Sequence, residues 1–177
     1  AGDRLLLNDG LIVLRVSSVK GNEIHTLVEL GGPLSNNKGI NRAGGGLTAP
    51  ALTEKDIQDL DAAIAMGVDF IAISFPKDGA DMVIARQLAD AASVKHGVGK
   101  VKLIAKVERA EAIVPEALAS IIQESDGIMV ARGDLAIEVG NPAVPALQKR
   151  MIRLAREADK FTITATQMME SMISAPV

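Results

Sequence analysis

The residues able to do chemistry in this sequence gather around Lys106, Glu108, Asp134 and Thr166. Lys106 and Glu108 are two residues apart, so on a β-strand their side chains share a face. The opposite parity, Val101, Leu103, Ala105 and Val107, is wholly apolar and suited to packing on helices. An inward-facing lysine beside a carboxylate is costly unless the two pair or bind a ligand. One reading is a plain ion pair closing the mouth of the fold; the other is a catalytic lysine next to a metal-binding acid. Gly133-Asp134 supplies a second carboxylate, and two carboxylates suit Mg²⁺ or Mn²⁺ completed by water and substrate phosphate. Asp134 also reads as the N-cap of a short helix. The two roles are compatible, because a helix starting there points backbone N–H groups at a phosphate. Thr166 either offers a hydroxyl at the same mouth or is a β-branched residue finishing its strand.

The elements that must position these groups follow from the pattern. From Thr53 onward, amphipathic helical stretches alternate with short apolar runs. Thr53 before Glu54-Lys55-Asp56 reads as an N-cap with acids in the first turn. Helices are expected over about 54–66, 79–94, 111–123 and 144–158, and strands over about 69–75, 101–107, 127–130 and 161–165. The strand at 69–75 is apolar enough to be buried on both faces. Strands begin about 30 residues apart, the length of a βαβ step. Such alternation implies a parallel sheet with right-handed crossovers, either doubly wound or part of a (β/α)₈ barrel. Each strand ends in polar residues: Ser74-Phe75-Pro76-Lys77, Lys106-Val107-Glu108-Arg109, Ala131-Arg132-Gly133-Asp134 and Thr164-Ala165-Thr166-Gln167. That is the end of an α/β sheet where ligands bind.

Residues 1–47 read differently. Leu5-Leu6-Leu7 and Leu11 to Leu14 flank the hairpin signal Asn8-Asp9-Gly10, and Ile24 to Leu30 follows the turn Lys20-Gly21-Asn22. Beyond it, Gly31-Gly32-Pro33, Asn36-Asn37, Gly39 and Gly44-Gly45-Gly46 read as a loop ending in a hinge.

Composition narrows the function. In 177 residues the formal charge is −3, with no basic stripe for nucleic acid. Cysteine is absent, which removes disulfides, thiol nucleophiles and Cys-based metal sites. Aromatics are only 2% of residues, so the core must be aliphatic. No apolar run approaches the length of a membrane span. The chain opens on Ala1-Gly2-Asp3 with no initiator Met and no signal peptide, as a fragment would. Gly97-Val98-Gly99-Lys100 is a turn and not a phosphate loop, because Val101 stands where Ser or Thr is required. His25 and His96 do not form a metal pair, and Met168, Met169 and Met172 read as core residues.

The runs 106–111 (Lys-Val-Glu-Arg-Ala-Glu), 127–135 (Gly-Ile-Met-Val-Ala-Arg-Gly-Asp-Leu) and 164–172 (Thr-Ala-Thr-Gln-Met-Met-Glu-Ser-Met) closely resemble the bacterial pyruvate kinases. Lys-Gly-Ile-Asn (38–41), Leu-Thr-Glu-Lys-Asp (52–56) and Ile-Ser-Phe (73–75) fit too, in the same order. The resemblance implies a partial (β/α)₈ barrel of about four βα units. Residues 1–47 would be the C-terminal part of an inserted small β domain, a nucleotide lid, and 48–177 the middle of the barrel. It implies phosphoryl transfer from phosphoenolpyruvate to ADP, in a cytoplasmic homotetramer. Lys106 and Thr166 would be catalytic. Ser74, Lys106, Ala131, Gly133, Asp134 and Thr166 would contact substrate, Lys38 the nucleotide, and Glu108 and Asp134 the Mg²⁺. Strands carrying a substrate arginine and the K⁺ ligands lie outside this chain, as do the eighth strand and a regulatory domain, so the isolated chain is expected to be inactive. Arg109 stands where many members have Asn. The alternatives are a metal-dependent lyase of the barrel type that binds pyruvate or phosphoenolpyruvate, or a non-catalytic fragment.

Overall fold

The computed structural model describes residues 1–8, 10–44 and 50–175. Asp9 of the expected hairpin turn, Gly45-Gly46 of the expected hinge, the boundary between 47 and 48, and Pro176-Val177 lie outside the described residues.

Strands β1 (Arg4–Leu7), β2 (Ile12–Lys20), β3 (Glu23–Leu30) and β4 (Ile40–Arg42) form an antiparallel sheet ordered β3-β2-β1-β4. Glu29 ties the sheet across strands, meeting Arg4 and Arg15 at 2.8 Å each. The stretch read as loop thus contains a strand, β4, which pairs Leu5 with Arg42 and Leu7 with Ile40. Three residues between glycine-rich turns are too few for a period-2 pattern to show.

The rest alternates as expected. Helices α1 (Glu54–Ala65), α2 (Gly79–His96), α3 (Pro115–Glu124), α4 (Arg132–Val139) and α5 (Val144–Glu157) intersperse β5 (Phe70–Ile73), β6 (Lys102–Val107), β7 (Gly127–Ala131) and β8 (Phe161–Ala165). The four strands form one parallel sheet in sequence order. Thr53 caps α1 in a full capping box with Asp56, which holds the Asp56 carboxyl below its ordinary range. Asp78 caps α2, and Gly97 ends it in the left-handed conformation at φ 65°. The helix expected over 111–123 is a 3₁₀ turn, Glu111–Ile113, followed by α3, because Pro115 can open a helix but not lie within one.

The core is aliphatic, as the composition requires. Ile64, Met82, Leu103, Ala105, Leu118, Ile121, Ile128, Val130 and Met151 are fully buried. At the amino end of the sheet Asp126 accepts the Leu103 N–H at 2.7 Å and pairs with Arg86, which donates to the Val101 carbonyl at 2.6 Å.

The opposite face of the sheet is concave. Phe70 and Phe161 lie on the two edge strands, yet their rings meet edge to face at 5.8 Å. Three strand spacings in a flat sheet would separate those strands by about 14 Å, so the sheet curls. Gly127 lies between them, and a Cβ there would sit 2.5 Å from the Phe161 ring. The expectation that β5 is buried on both faces fails here: Phe70 and Ala72 are exposed, because β5 is an edge strand and no helix covers its concave side.

Gly79 opens α2 where a Cβ would sit 2.9 Å from backbone atoms of Ser120. Gly79→Ala is therefore expected to destabilise the chain by about 1–3 kcal/mol through overpacking. Denaturant unfolding checks this, and an unchanged midpoint would mean that α2 and α3 separate freely.

Candidate active site

Lys106 projects from β6 on the concave side, half-buried, and its ammonium donates to the Ser74 hydroxyl at 3.1 Å. It also meets Glu108 Oε1 at 2.8 Å. Glu108 lies just past the strand end, and its side chain is 1% exposed. Its other oxygen, Oε2, accepts the Phe75 N–H at 2.8 Å. Phe75 adopts φ 55°, a left-handed conformation costly for a non-glycine residue. That backbone turn aims the amide at the carboxylate, and the Arg109 guanidinium lies 5.9 Å from the Phe75 ring centroid. Burial pushes the Glu108 carboxyl up, opposed by Lys106 and the Phe75 amide and reinforced by the charge of Asp134.

Asp134 reaches the same end of the sheet from α4. It is not an N-cap, since α4 begins two residues earlier and Ala131 occupies the cap position without a side-chain bond. Asp134 stands instead in the first turn, where the helix dipole favours an anion. Ala131 is buried at the junction of β7 and α4.

Thr166 follows β8 at φ 77°, and its hydroxyl accepts the Gly133 N–H at 3.0 Å. That contact occupies one of the two backbone positions expected to meet substrate. Arg132, to which the sequence reading assigned no role, holds this turn: Nε donates to the Ala165 carbonyl at 2.8 Å, and Nη2 donates to Thr166 and Gln167 at 2.6 and 2.7 Å. A lone arginine at a strand exit carries no sequence signal for such a clamp. Arg109 was missed for the same reason, and it is 6% exposed.

The structure therefore brings together Ser74, Lys106 and Glu108 directly, and places Ala131, Gly133, Asp134 and Thr166 along the neighbouring strand ends. A cavity of about 740 Å³ opens beside Arg132, Gly133 and Thr166, with Leu6 of β1 and Gly10 of the β1–β2 turn on its wall. Lys38 is exposed in the loop ahead of β4 and stands outside the Lys106 cluster. Met168, Met169 and Met172 are not core: each is more than half exposed. Their spacing falls on a bend and a 3₁₀ turn, Glu170–Ile173, rather than on an α-helix with a buried face. His25 is exposed and His96 pairs with Asp61 at 3.1 Å, away from this cluster.

Two carboxylates on adjacent strand ends suit a hard divalent cation that keeps water and substrate oxygens as its other ligands. Among the described residues no larger cage of His, Cys, Asp and Glu is assembled. Glu108 fits such an ion. Its buried Oε1 meets the Lys106 ammonium as an ion pair at 2.8 Å and has no further polar partner among the described residues.

The model of the family described as "Pyruvate kinase, barrel domain" matches residues 1–177. The chain belongs to the pyruvate kinase family. It is 54% identical over 177 residues to the pyruvate kinase of Haemophilus influenzae, covering 99% of this chain and 36% of that protein. It is 52% identical to pyruvate kinase II of Salmonella typhimurium with the same coverage. With the pyruvate kinase of Mycobacterium tuberculosis it shares 46% identity over 174 residues, 98% of this chain and 35% of the relative. The chain thus spans about a third of the length of these curated pyruvate kinases. Among the described residues no helix is long and apolar enough to cross a membrane.

Arg132→Lys replaces a fork that reaches three carbonyls with a single ammonium. Amides of residues 165–170 are expected to exchange with solvent about tenfold faster in this variant, while those of β5 to β7 are unchanged. Unchanged exchange at 165–170 would remove Arg132 as the clamp.

Proposed function

We propose that this chain is the middle portion of an enzyme that transfers the phosphoryl group of phosphoenolpyruvate to ADP, giving pyruvate and ATP. The observation that carries the reading is the half-buried Lys106 ammonium, held between Ser74 and the buried Glu108 at the strand ends where Asp134 also stands. Phosphoryl transfer asks little covalent chemistry of a protein and much stabilisation of charge on the moving group. Lys106 supplies a fixed positive charge for the phosphoryl oxygens and for the enolate left behind. Ser74 orients that ammonium and lies beside the phosphate. Thr166 places its hydroxyl next to the enolpyruvate, and Ala131 and Gly133 offer backbone contacts at the start of α4. For Gly133 to donate to substrate, the Thr166 hydroxyl must turn from its amide toward the substrate.

Glu108 and Asp134 would hold Mg²⁺ or Mn²⁺, which when bound neutralises developing charge on the phosphoryl oxygens. A K⁺ requirement rests with family residues that this chain does not include.

In this reading residues 1–47 are part of an inserted β domain that closes on nucleotide, with Lys38 reaching it, and 48–177 belong to a (β/α)₈ barrel. The separate antiparallel and parallel sheets and the curl of the latter support that division. A lid excludes water that would otherwise take the phosphoryl group. The whole enzyme would be a cytoplasmic homotetramer. The lyase alternative gains no support from relatives named as pyruvate kinases. The four-stranded sheet has two open edges, so the isolated chain should be inactive.

Two measurements test this. The full-length protein carrying this segment should form pyruvate from phosphoenolpyruvate and ADP at about 1–100 per second, while the 177-residue chain forms none. Turnover by the isolated chain would refute the requirement for a closed barrel. In the full-length protein, Lys106→Met should lower kcat by about a hundredfold or more; retained turnover would take Lys106 out of the chemistry.

A further inference from the structure

The helix that carries Asp134 is short. An eight-residue helix is not stable by itself and takes its position from what it is tied to. Its first residue, Arg132, ties it to the exit of β8. Its seventh residue, Glu138, ties it to the exit of β6: Glu138 Oε2 accepts the Ala110 N–H at 3.1 Å. Ala110 is two residues beyond Glu108, in the irregular stretch between β6 and the turn at Glu111–Ile113. Glu138 is also one helical turn beyond Asp134, so the two side chains share a face of α4. This hydrogen bond joins the element bearing one acidic group to the segment bearing the other.

We propose that Glu138 is a positioning residue that sets the separation of the Glu108 and Asp134 carboxylates, and through it the affinity for a divalent cation. The inference rests on the reading of those two acids as metal ligands. Glu138 Oε2 is engaged by the Ala110 amide, and Glu138→Gln, which keeps that acceptor but loses the charge, separates positioning from direct ligation. Arg109, over the Phe75 ring, lies in the same segment, and Phe75 holds Glu108, so a shift at Ala110 reaches the Glu108 carboxylate through two contacts. Groups that hold metal ligands in place typically change affinity by 10–100-fold when removed.

The test uses the full-length protein and Mn²⁺ titration by electron paramagnetic resonance, with thermal unfolding alongside. Glu138→Ala removes the acceptor. Glu138→Asp keeps the charge but withdraws it by one methylene, and Glu138→Gln keeps the reach and an acceptor oxygen. Ala and Asp variants are expected to bind Mn²⁺ about tenfold more weakly, with Gln within about twofold of the unmodified protein. Should the Ala variant fail to fold, the Asp and Gln variants decide. Unchanged Mn²⁺ affinity in the Asp variant, or a loss in Gln equal to that in Asp, overturns the proposal. Glu108→Gln separates this from the reading beneath it. If Glu108→Gln weakens Mn²⁺ binding and Glu138→Asp does not, only the positioning role falls. If Glu108→Gln leaves binding unchanged, the metal site itself falls and the inference falls with it.

Discussion

The constraint on which this site turns is the burial of the Glu108 carboxylate. A charge withdrawn from water is tolerated only where other charges and dipoles replace the lost hydration. Here the replacements come from two places, the Lys106 ammonium and the Phe75 amide just past the end of β5, while burial itself raises the proton affinity of the carboxylate. Each replacement imposes something else. Lys106 must stay on the concave side, where it also finds Ser74. Phe75 must take up a left-handed backbone to aim its amide. The β5 and β6 exits are therefore fixed relative to each other by one carboxylate, and the strain at Phe75 is a local cost that the interaction offsets.

A second exit is organised differently. Thr166 has a positive φ as well, but what restrains it is a guanidinium that gathers three consecutive carbonyls. Because Arg132 opens the short helix α4, the strand end and the helix are fastened together. The β5–β6 half of the site is thus held by a buried charge, and the β7–β8 half by an arginine fork. Preorganisation of this kind lets charged groups act without rearranging as charge moves in a substrate.

The parts legible in the sequence were those with local signatures. The N-cap at Thr53, the turn at Gly97-Val98-Gly99-Lys100 and the apolar parity of Val101 to Val107 each express one element's own physics, and the structure follows them. The pairing of Lys106 with Glu108 was legible because a period of two cannot put them elsewhere. What stayed hidden depends on contacts distant in the chain. β4 exists because β1 offers an edge, not because Ile40–Arg42 prefers a strand. The methionines at 168, 169 and 172 suggested a helix spacing, but the chain there makes a bend and a 3₁₀ turn, so the spacing carries no buried face. Asp134 reads as a cap because a short helix could start at it, whereas the helix starts as soon as β7 ends. Arg132 and Glu138 act over more than 25 residues of sequence, where no motif records a partner.

All three phenylalanines lie on or just beyond the edge strands of the curled sheet: Phe70 and Phe161 meet over Gly127, and Phe75 stands beneath Arg109. The chain has no tyrosine and no tryptophan. Its near-ultraviolet circular dichroism therefore arises from these three rings alone, with no contribution from the outer helices or from the antiparallel sheet. A change in that spectrum on adding a cation or an anion would report on the parallel sheet and its strand exits, without any label having been introduced.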